Sequence, residues 1–238
     1  MSLKDGKDYL YLIWKCETTR RQYIVGQLSR NGQYEFQYCG EVEEAMNAGF
    51  KLLISFENIN ETYIGKELFP AFSSRLPDRK RRDIDKILKK YGLTEYDSYE
   101  FLKRSGARLP IDNLQFIDPI LDLKEAFERK FYVAGARHYL GCDGKSCEKS
   151  IRLTRGDEVF LKQEKDNIYD PNAIRVQDEY NNLLGYIPRY YSRAFVRFMN
   201  EKRIQKSYVV RVGNENKCDE CIEIVVNVEA SNEYKNAL

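Results

Sequence analysis

The sequence has few of the residues, and none of the loops, on which most enzyme sites are built. Its 238 residues contain one histidine, His138, which excludes a metal site that needs two histidines and leaves one candidate base for a serine or cysteine triad. No Gly-x-Ser-x-Gly elbow, Walker-type loop or Gly-x-Gly-x-x-Gly loop is present. These absences argue against an NTPase, a kinase and a dinucleotide enzyme, so we expect a protein that is not an enzyme.

Long hydrophobic runs and a strong excess of one charge are also missing. No stretch approaches the ~18 apolar residues of a membrane span, and the N-terminus shows no signal-peptide pattern. The net charge is +2, so any affinity for nucleic acid comes from local patches. Six cysteines without a secretion signal indicate reduced thiols or a metal site rather than a disulfide framework. We expect a cytoplasmic protein that does not bind membranes.

The first half begins with a well-marked hairpin. Asn31-Gly32 separates residues 21–30 from residues 33–38, and this dipeptide favours a tight turn because both turn residues need positive φ. Apolar runs at 9–14 and 51–56 have the length of strands and predict two more.

Helices are predicted over residues 41–48 and in the segment that follows Pro77. The apolar residues of that segment recur at helical spacing and Gly92 is a stop signal: Ile84, Ile87, Leu88 and Tyr91. Either Asp97 or Ser98 is suited to cap a further helix that runs to Lys103.

A basic run, Arg79-Lys80-Arg81-Arg82, opens the helix predicted after Pro77, and Lys86, Lys89 and Lys90 continue it. One interpretation is a face that contacts phosphates. The other is a solvated helix face, because three aspartates are interspersed with the cations. The sequence leaves both interpretations open.

Three features of this half resemble the small N-terminal subdomain of HipA-type toxins. They are the Val25-Gly26-x-Leu28 hairpin, the segment from Leu68-Phe69-Pro70-x-Phe72 to Leu76-Pro77, and the tail from Leu93 to Phe116. The resemblance covers roughly residues 9–117 and does not include the kinase body with its catalytic aspartate and magnesium ligands. It therefore implies a docking role and no kinase activity.

The second half is organised around a polar turn that runs into a strand, Asp166 to Val176. Asp, Asn and Pro set the turn because Asx side chains bond their own backbone and Pro fixes φ. A second strand, 183–187, stops at Pro188, and a helix is predicted over 189–200. Further strand pieces are predicted at 151–153, 159–161, 207–212 and 222–228. Many short strands with one helix predict a small closed barrel.

Three motifs of this half, in this order, resemble the HIRAN domain. They are the Gly135-x-Arg137-His138-Tyr139-x-Gly141 run, the Asn167-x-Tyr169-Asp170-x-Asn172-Ala173-Ile174-x-Val176 run, and Gly185-Tyr186-Ile187-Pro188. The resemblance covers roughly residues 131–228. It implies binding to the end of a single-stranded DNA through the terminal 3′ hydroxyl. His138 stands where the family often has tyrosine or phenylalanine.

The resemblance gives seven candidate residues for that interface: Arg137, His138, Tyr139, Tyr169, Asp170, Asn172 and Tyr186. Aromatic faces stack on bases whatever their sequence, and an arginine neutralises a phosphate. An aspartate accepts a hydrogen bond from a free hydroxyl, which a phosphodiester inside the strand cannot offer. The alternative is that Tyr169 and Asp170 only form the turn and that Tyr139 is a core residue.

Four cysteines form two pairs with the spacing of half-sites for zinc: Cys142 and Cys147, Cys218 and Cys221. Each pair lies in a loop between predicted strands, and one end of a barrel could bring the loops together as a tetrahedral four-cysteine site. The gap between the pairs is longer than in ordinary zinc ribbons, so the alternative is four free thiols in polar loops. No other cofactor is expected.

Together these features predict an α+β protein of two domains. The first, at 1–117, is a β-hairpin and helix domain like the HipA N-terminal subdomain. A linker is expected at 118–130, and the second domain, at 131–238, is a HIRAN-like, OB-like β-barrel with one or two helices.

The function expected from this organisation is that of a non-enzymatic DNA-binding accessory protein in DNA repair or replication stress. Its barrel would bind single-stranded DNA, preferably a free 3′ end, and a helicase or nuclease would act in trans. The alternative is a protein-interaction module whose HipA-like half binds and restrains a separate HipA-type kinase, in the manner of an antitoxin.

Overall fold

A computed structural model describes residues 8–120, 123–141, 152–213 and 221–235. It divides into two compact units, Met1–Pro119 and Ile120–Leu238. Strands and helices occur in both units, which confirms the α+β class. None of the helices in the described ranges is long and apolar enough to cross a membrane.

The described residues contain eleven strands. They are β1 (Asp8–Lys15), β2 (Gln22–Arg30), β3 (Tyr34–Tyr38), β4 (Thr62–Gly65), β5 (Leu114–Ile117), β6 (Phe127–Tyr132), β7 (Phe160–Gln163), β8 (Ile174–Gln177), β9 (Leu183–Tyr186), β10 (Ile204–Val212) and β11 (Ile222–Val228). The helices in the same ranges are α1 (Val42–Asn47), α2 (Pro70–Ser73), α3 (Ile84–Lys90), α4 (Ser98–Ser105), α5 (Ala136–Tyr139), α6 (Arg189–Asn200) and α7 (Asn232–Lys235).

The first unit is built on an antiparallel five-stranded sheet in the order β4-β3-β2-β1-β5. The hairpin predicted at Asn31-Gly32 joins β2 to β3, with Arg30 paired to Tyr34. The turn spans three residues, and the Asn31 amide donates to the Gln33 carbonyl at 3.0 Å. Gly32 has φ +78° while Asn31 stays at negative φ, so the glycine alone provides the left-handed conformation that the turn requires.

An aromatic cluster fills the space between this sheet and the helices. Its central rings are those of Phe36, Phe56, Phe72 and Phe116, each at most 2% exposed. The Phe36 ring centroid lies 4.5 Å from that of Phe56 and 5.1 Å from that of Phe72. These ring contacts make the cluster a substantial source of apolar stabilisation in the first unit.

Residues 51–56, predicted as a strand, are a loop in the structure. The Tyr38 hydroxyl accepts from the Leu53 amide at 2.8 Å and donates to the Phe56 carbonyl at 2.9 Å. These bonds satisfy the backbone without a neighbouring strand, while Phe56 itself enters the core. The apolar run therefore reflects burial rather than a place in the sheet.

The Asp97 cap and the Gly92 stop are confirmed, whereas the helix predicted to open at Arg79 begins at Ile84 and the helix predicted to run to Lys103 extends to Ser105. Asp97 caps α4, because its side chain accepts from the Glu100 amide at 2.8 Å. Gly106 ends the same helix at φ +67°, and Gly92 follows the last residue of α3 with φ +67°. Of the apolar residues predicted to line α3, Leu88 is buried.

The second unit is a ring of six strands. Two three-stranded antiparallel sheets, β10-β11-β6 and β7-β8-β9, are joined at both edges by single bridges, Ala134 to Tyr186 and Glu158 to Tyr208. The backbone of Ala134 exchanges two hydrogen bonds with Tyr186, at 2.8 and 2.9 Å. The ring is therefore closed, as the pattern of short strands predicts.

Gly185 permits one of those closures. It has φ +145°, and a Cβ at this position would lie 2.4 Å from the Ala134 carbonyl oxygen. Such an approach is closer than any side chain allows, so the absence of a side chain lets β9 reach the extension of β6.

The bounds of α6 and β11 agree with the predicted residues 189–200 and 222–228. Residues 152 and 153 are not in a strand, and β7 begins at Phe160. β6 begins at Phe127 and pairs with β11, so the last four residues of the segment predicted as a linker belong to this barrel. The connection is shorter than expected because the extended backbone there completes the sheet.

Candidate nucleic-acid interface

Glu164, the residue after β7, is the centre of a hydrogen-bonded network at one end of the barrel. Its carboxylate accepts from the Tyr186 hydroxyl at 2.8 Å and from the Asn167 side-chain amide at 2.8 Å. The Arg175 guanidinium pairs with the other carboxylate oxygen. The three partners come from β8, β9 and the loop between β7 and β8, so the network fixes that loop to the strands beside it.

Electrostatics keep this network in one protonation state. The hydrogen bond from Arg175, followed by those from Asn167 and Tyr186, lowers the pKa of Glu164 to about 2. Burial, and then the bond to Glu164, raises the pKa of Tyr186 above its ordinary value. The Glu164 carboxylate therefore stays charged and the Tyr186 phenol stays protonated, so the hydrogen bond between them keeps its donor and its acceptor.

The loop after Glu164 is shaped by its own side chains. Asn167 Oδ1 accepts from the amides of Tyr169 and Asp170, at 2.9 and 3.0 Å. Asp170 Oδ1 then accepts from the Asn172 amide at 2.8 Å. These are the Asx turns predicted from the sequence, and they leave Ile168 and Tyr169 at the tip, 86% and 82% exposed.

A row of aromatic rings lies next to this loop. The His138 and Tyr139 ring centroids are 5.0 Å apart, and those of Tyr139 and Tyr186 are 5.6 Å apart. His138 is exposed, whereas Tyr139 and Tyr186 are half-buried. Because the Tyr186 hydroxyl also bonds Glu164, the row and the loop form one connected surface.

Most of the seven predicted interface residues are brought together by this arrangement. The ring contacts join three of them, and the Glu164 network joins these to the loop that carries three more: His138, Tyr139 and Tyr186; Tyr169, Asp170 and Asn172. Arg137 is exposed on α5, directly before His138. The Asn172 side chain is half-buried, and its amide serves the turn.

Parts of the chain match the models of two known families. Residues 127–229 match the family model of the HIRAN domain. The second unit is therefore similar to the HIRAN domain over most of its length. The family implies single-stranded DNA as the ligand in general terms. Residues 19–110 match the HipA N-terminal domain, so the first unit is similar to that domain.

A solved structure is also similar to the HIRAN part of this chain. The crystal structure of the HIRAN domain of human HLTF shares 19% sequence identity and gives a TM-score of 0.35, with 48% of this chain and 84% of that chain covered. A search of curated proteins finds no match. None of these comparisons supports the kinase, helicase or nuclease partners that the resemblances lead us to expect.

Three residues that organise the HIRAN site are not among those predicted from the sequence: Glu164, Asn167 and Arg175. Asn167 belongs to the recognised motif and precedes the exposed Tyr169 by two residues, which is a local signal for an Asx turn. Arg175 lies opposite Tyr186 in the register of β8 and β9. That pairing becomes visible only once the strands are aligned, so a single sequence gives no direct signal for the role of Glu164.

The four-cysteine prediction is not tested by the structure. Cys142, Cys147 and Cys218 lie outside the described residues. Cys221 is 7% exposed directly before β11, and its carbonyl accepts from the Gly213 amide at 2.8 Å. Among the described residues, no three metal-ligating side chains form a group. Zinc bound by these cysteines therefore stays a prediction.

Proposed function

We propose that this is a non-enzymatic, cytoplasmic DNA-binding protein whose HIRAN domain binds single-stranded DNA at a free 3′ end, in DNA repair or replication stress. The observation that carries the proposal is the exposed Tyr169 ring at the tip of a loop held by Asx turns, which Glu164 joins to the row of His138, Tyr139 and Tyr186. Exposed rings on a fixed loop suit stacking on unpaired bases.

Asp170 is suited to recognise the end itself. One of its carboxylate oxygens, Oδ1, accepts from the Asn172 amide, and within the described residues no hydrogen bond reaches the other. That oxygen can accept from a terminal 3′ hydroxyl, while a 3′ phosphate would be repelled by the carboxylate. Exposed Arg137 supplies a charge for a backbone phosphate.

The test compares single strands that end in a 3′ hydroxyl or a 3′ phosphate, by fluorescence anisotropy with the full chain. We expect tighter binding to the hydroxyl end. Tyr169→Ala should weaken binding to both strands by about 5- to 150-fold, which corresponds to the loss of about 1–3 kcal/mol for one stacked base. Asp170→Asn keeps the turn acceptor and removes the charge, so it should reduce the preference between ends.

Tyr180→Ala is the matched control, because Tyr180 is 72% exposed and lies beyond the opposite end of β8. It should leave both affinities unchanged. Equal binding of the two strands by the unmodified chain would remove end recognition. An effect of Tyr180→Ala equal to that of Tyr169→Ala would remove the assignment of the site.

A further inference from the structure

The segment from Asp78 to Lys90 concentrates positive charge in the first unit. It holds seven lysines and arginines and three aspartates, a net charge of +4 in thirteen residues, whereas the whole chain has +2. Its cations are exposed: Arg79, Lys80, Arg81, Arg82, Lys86, Lys89 and Lys90. The surface around this segment is therefore locally basic.

Two of the three aspartates are already engaged inside the segment. Asp78 Oδ1 accepts from the Lys80 amide at 2.8 Å, and Asp83 pairs with Arg81 at 2.5 Å. The Arg79 guanidinium lies 5.0 Å from the centroid of the Tyr96 ring. In the described part of the chain, no carboxylate pairs with the side chains of Lys80, Arg82, Lys86 and Lys89.

Three of the cations share one helix face, and a fourth lies just before the helix. Lys86, Lys89 and Lys90 are spaced i, i+3 and i+4 within α3, which places them on one side of it, and Arg82 lies in the turn before α3 begins. We call these four residues the basic stripe. Leu88, the buried residue of α3, points away from them. From Lys86 to Lys90 the helix rises about 6 Å, at ~1.5 Å per residue, so these lysines can contact neighbouring phosphates of one strand.

The stripe rests on a fixed support. The Tyr91 and Tyr96 ring centroids lie 5.3 and 5.8 Å from that of buried Phe101. The Tyr96 hydroxyl donates to the Pro77 carbonyl at 2.8 Å. These contacts hold the backbone at both ends of the segment on the core.

Folding alone does not account for these charges. Cations just before a helix start oppose the positive end of the helix dipole, and repulsion between neighbouring cations adds to the cost. A lipid surface is disfavoured as the ligand, because no large apolar side chain is exposed on this segment and binding in the membrane interface needs an apolar face. A chain of phosphates can pair with the cations of the stripe and needs no apolar face on the protein.

We propose that the basic stripe is a second nucleic-acid contact, which binds the phosphodiester backbone without regard to sequence or strand end. It is independent of the HIRAN site, because it rests on charge in the first unit and not on recognition of a 3′ hydroxyl. It would add salt-dependent affinity to whatever selectivity the second unit provides.

The test measures how the affinity of the full chain for an oligothymidine with a blocked 3′ end depends on salt. The variant is Lys86→Gln with Lys89→Gln, and the matched control is Lys51→Gln with Lys66→Gln, two exposed lysines of the same unit. We expect the slope of log affinity against log salt to fall by about 1.4 in the stripe variant, since each phosphate contact contributes about 0.7 for single strands.

An unchanged slope in the stripe variant, or an equal fall in the control, overturns the proposal. Binding to phosphatidylserine vesicles that the stripe variant abolishes, with an unchanged DNA slope, overturns it in favour of a lipid. The stripe variant should keep the ratio of affinities for hydroxyl and phosphate ends. If the unmodified chain binds both ends equally while the stripe variant still lowers the salt slope, the proposed end recognition is wrong and the proposed backbone contact is supported.

Discussion

The two units differ in the aromatic side chains that they expose. In the first unit Phe36, Phe72 and Phe116 are at most 1% exposed. Its exposed large apolar side chains, within the described residues, are aliphatic: Met46, Ile54, Ile64 and Ile111. In the second unit three of the four are aromatic: Phe160, Ile168, Tyr169 and Tyr180. Both units bury rings in their cores, and in the second unit Phe195 and Phe198 are 0% exposed, but the second unit also presents rings to solvent.

The two units are alike in that each has a buried arginine that donates hydrogen bonds to backbone carbonyls. In the first unit Arg75 pairs with Asp112 and donates to the carbonyls of Ala107 and Leu114, at 2.9 and 3.0 Å. In the second unit Arg203 donates to the carbonyls of Glu229 and Leu123, at 2.7 and 2.9 Å. Each arginine ties irregular backbone to a sheet. The comparison teaches that the second unit, which is held by its buried core, its closed backbone and this arginine, still leaves some rings exposed and available for a ligand.

Phe36→Ala is expected to have the largest effect on this comparison. It removes the ring at the centre of the aromatic cluster and should lower the free energy of unfolding of the first unit by about 3–5 kcal/mol. Trp14 is the single tryptophan and packs on Phe50 at 5.5 Å between centroids. Its fluorescence during urea unfolding therefore reports on this unit.

Ile64→Ala is the control, because Ile64 is 61% exposed on the same sheet and its loss should cost less than about 0.5 kcal/mol. A loss below about 1 kcal/mol for Phe36→Ala would show that the cluster is not a substantial stabilising element.

Arg203→Met should be next in size, and it acts on the second unit. It leaves several buried carbonyls without their charged donor, so we expect a loss of about 3 kcal/mol. Hydrogen exchange of the β11 amides would measure it. Arg193→Met, at an exposed position on α6, is the control and should leave exchange unchanged. If Arg203→Met lowers the unfolding free energy reported by Trp14 as much as it lowers that reported by the β11 amides, the two units do not unfold separately.

Acid should loosen the loop of the HIRAN site before it unfolds the barrel. The pKa of Glu164 is lowered from 4.5 to about 2, so its stabilising contribution is complete above about 4.5 and is lost as the pH falls towards 2. The protection factors of the Tyr169 and Asp170 amides, which correct for the intrinsic pH dependence of exchange, should therefore fall over that range. Glu164→Gln should show low protection factors at neutral pH and little further change towards pH 2, whereas Glu179→Gln, at an exposed position, should behave like the unmodified chain.

The smallest expected effect is that of Tyr169→Ala on stability. The ring is 82% exposed, so the free energy of unfolding should change by less than about 0.5 kcal/mol, although DNA affinity falls. Thermal unfolding followed by circular dichroism would measure it. A large loss of stability would mean that the ring packs in solution, and the contrast between the two units would then be weaker.

Local signals in the sequence were sufficient where a single segment determines its own structure. The bounds of α6 and β11, the hairpin at Asn31-Gly32 and the Asp97 cap all follow from nearby residues. Residues 51–56 were predicted wrongly, because the Tyr38 hydroxyl, more than ten residues away, satisfies their backbone. The site shows the same limit: the motif predicts its turns, whereas the pairing of Glu164 with Arg175 depends on how two strands align.

Closure of the ring has a consequence for binding. In an open sheet one strand can shift along its neighbour, and a shift of one residue turns every side chain to the other face. In the second unit the bridge at Gly185 and Tyr186 and the bridge at Glu158 make such a shift impossible unless all six strands move together. The helix that carries His138 and the loop that carries Tyr169 therefore keep their spacing before any DNA arrives. A strand end would meet a preorganised surface, and little ordering would oppose its capture.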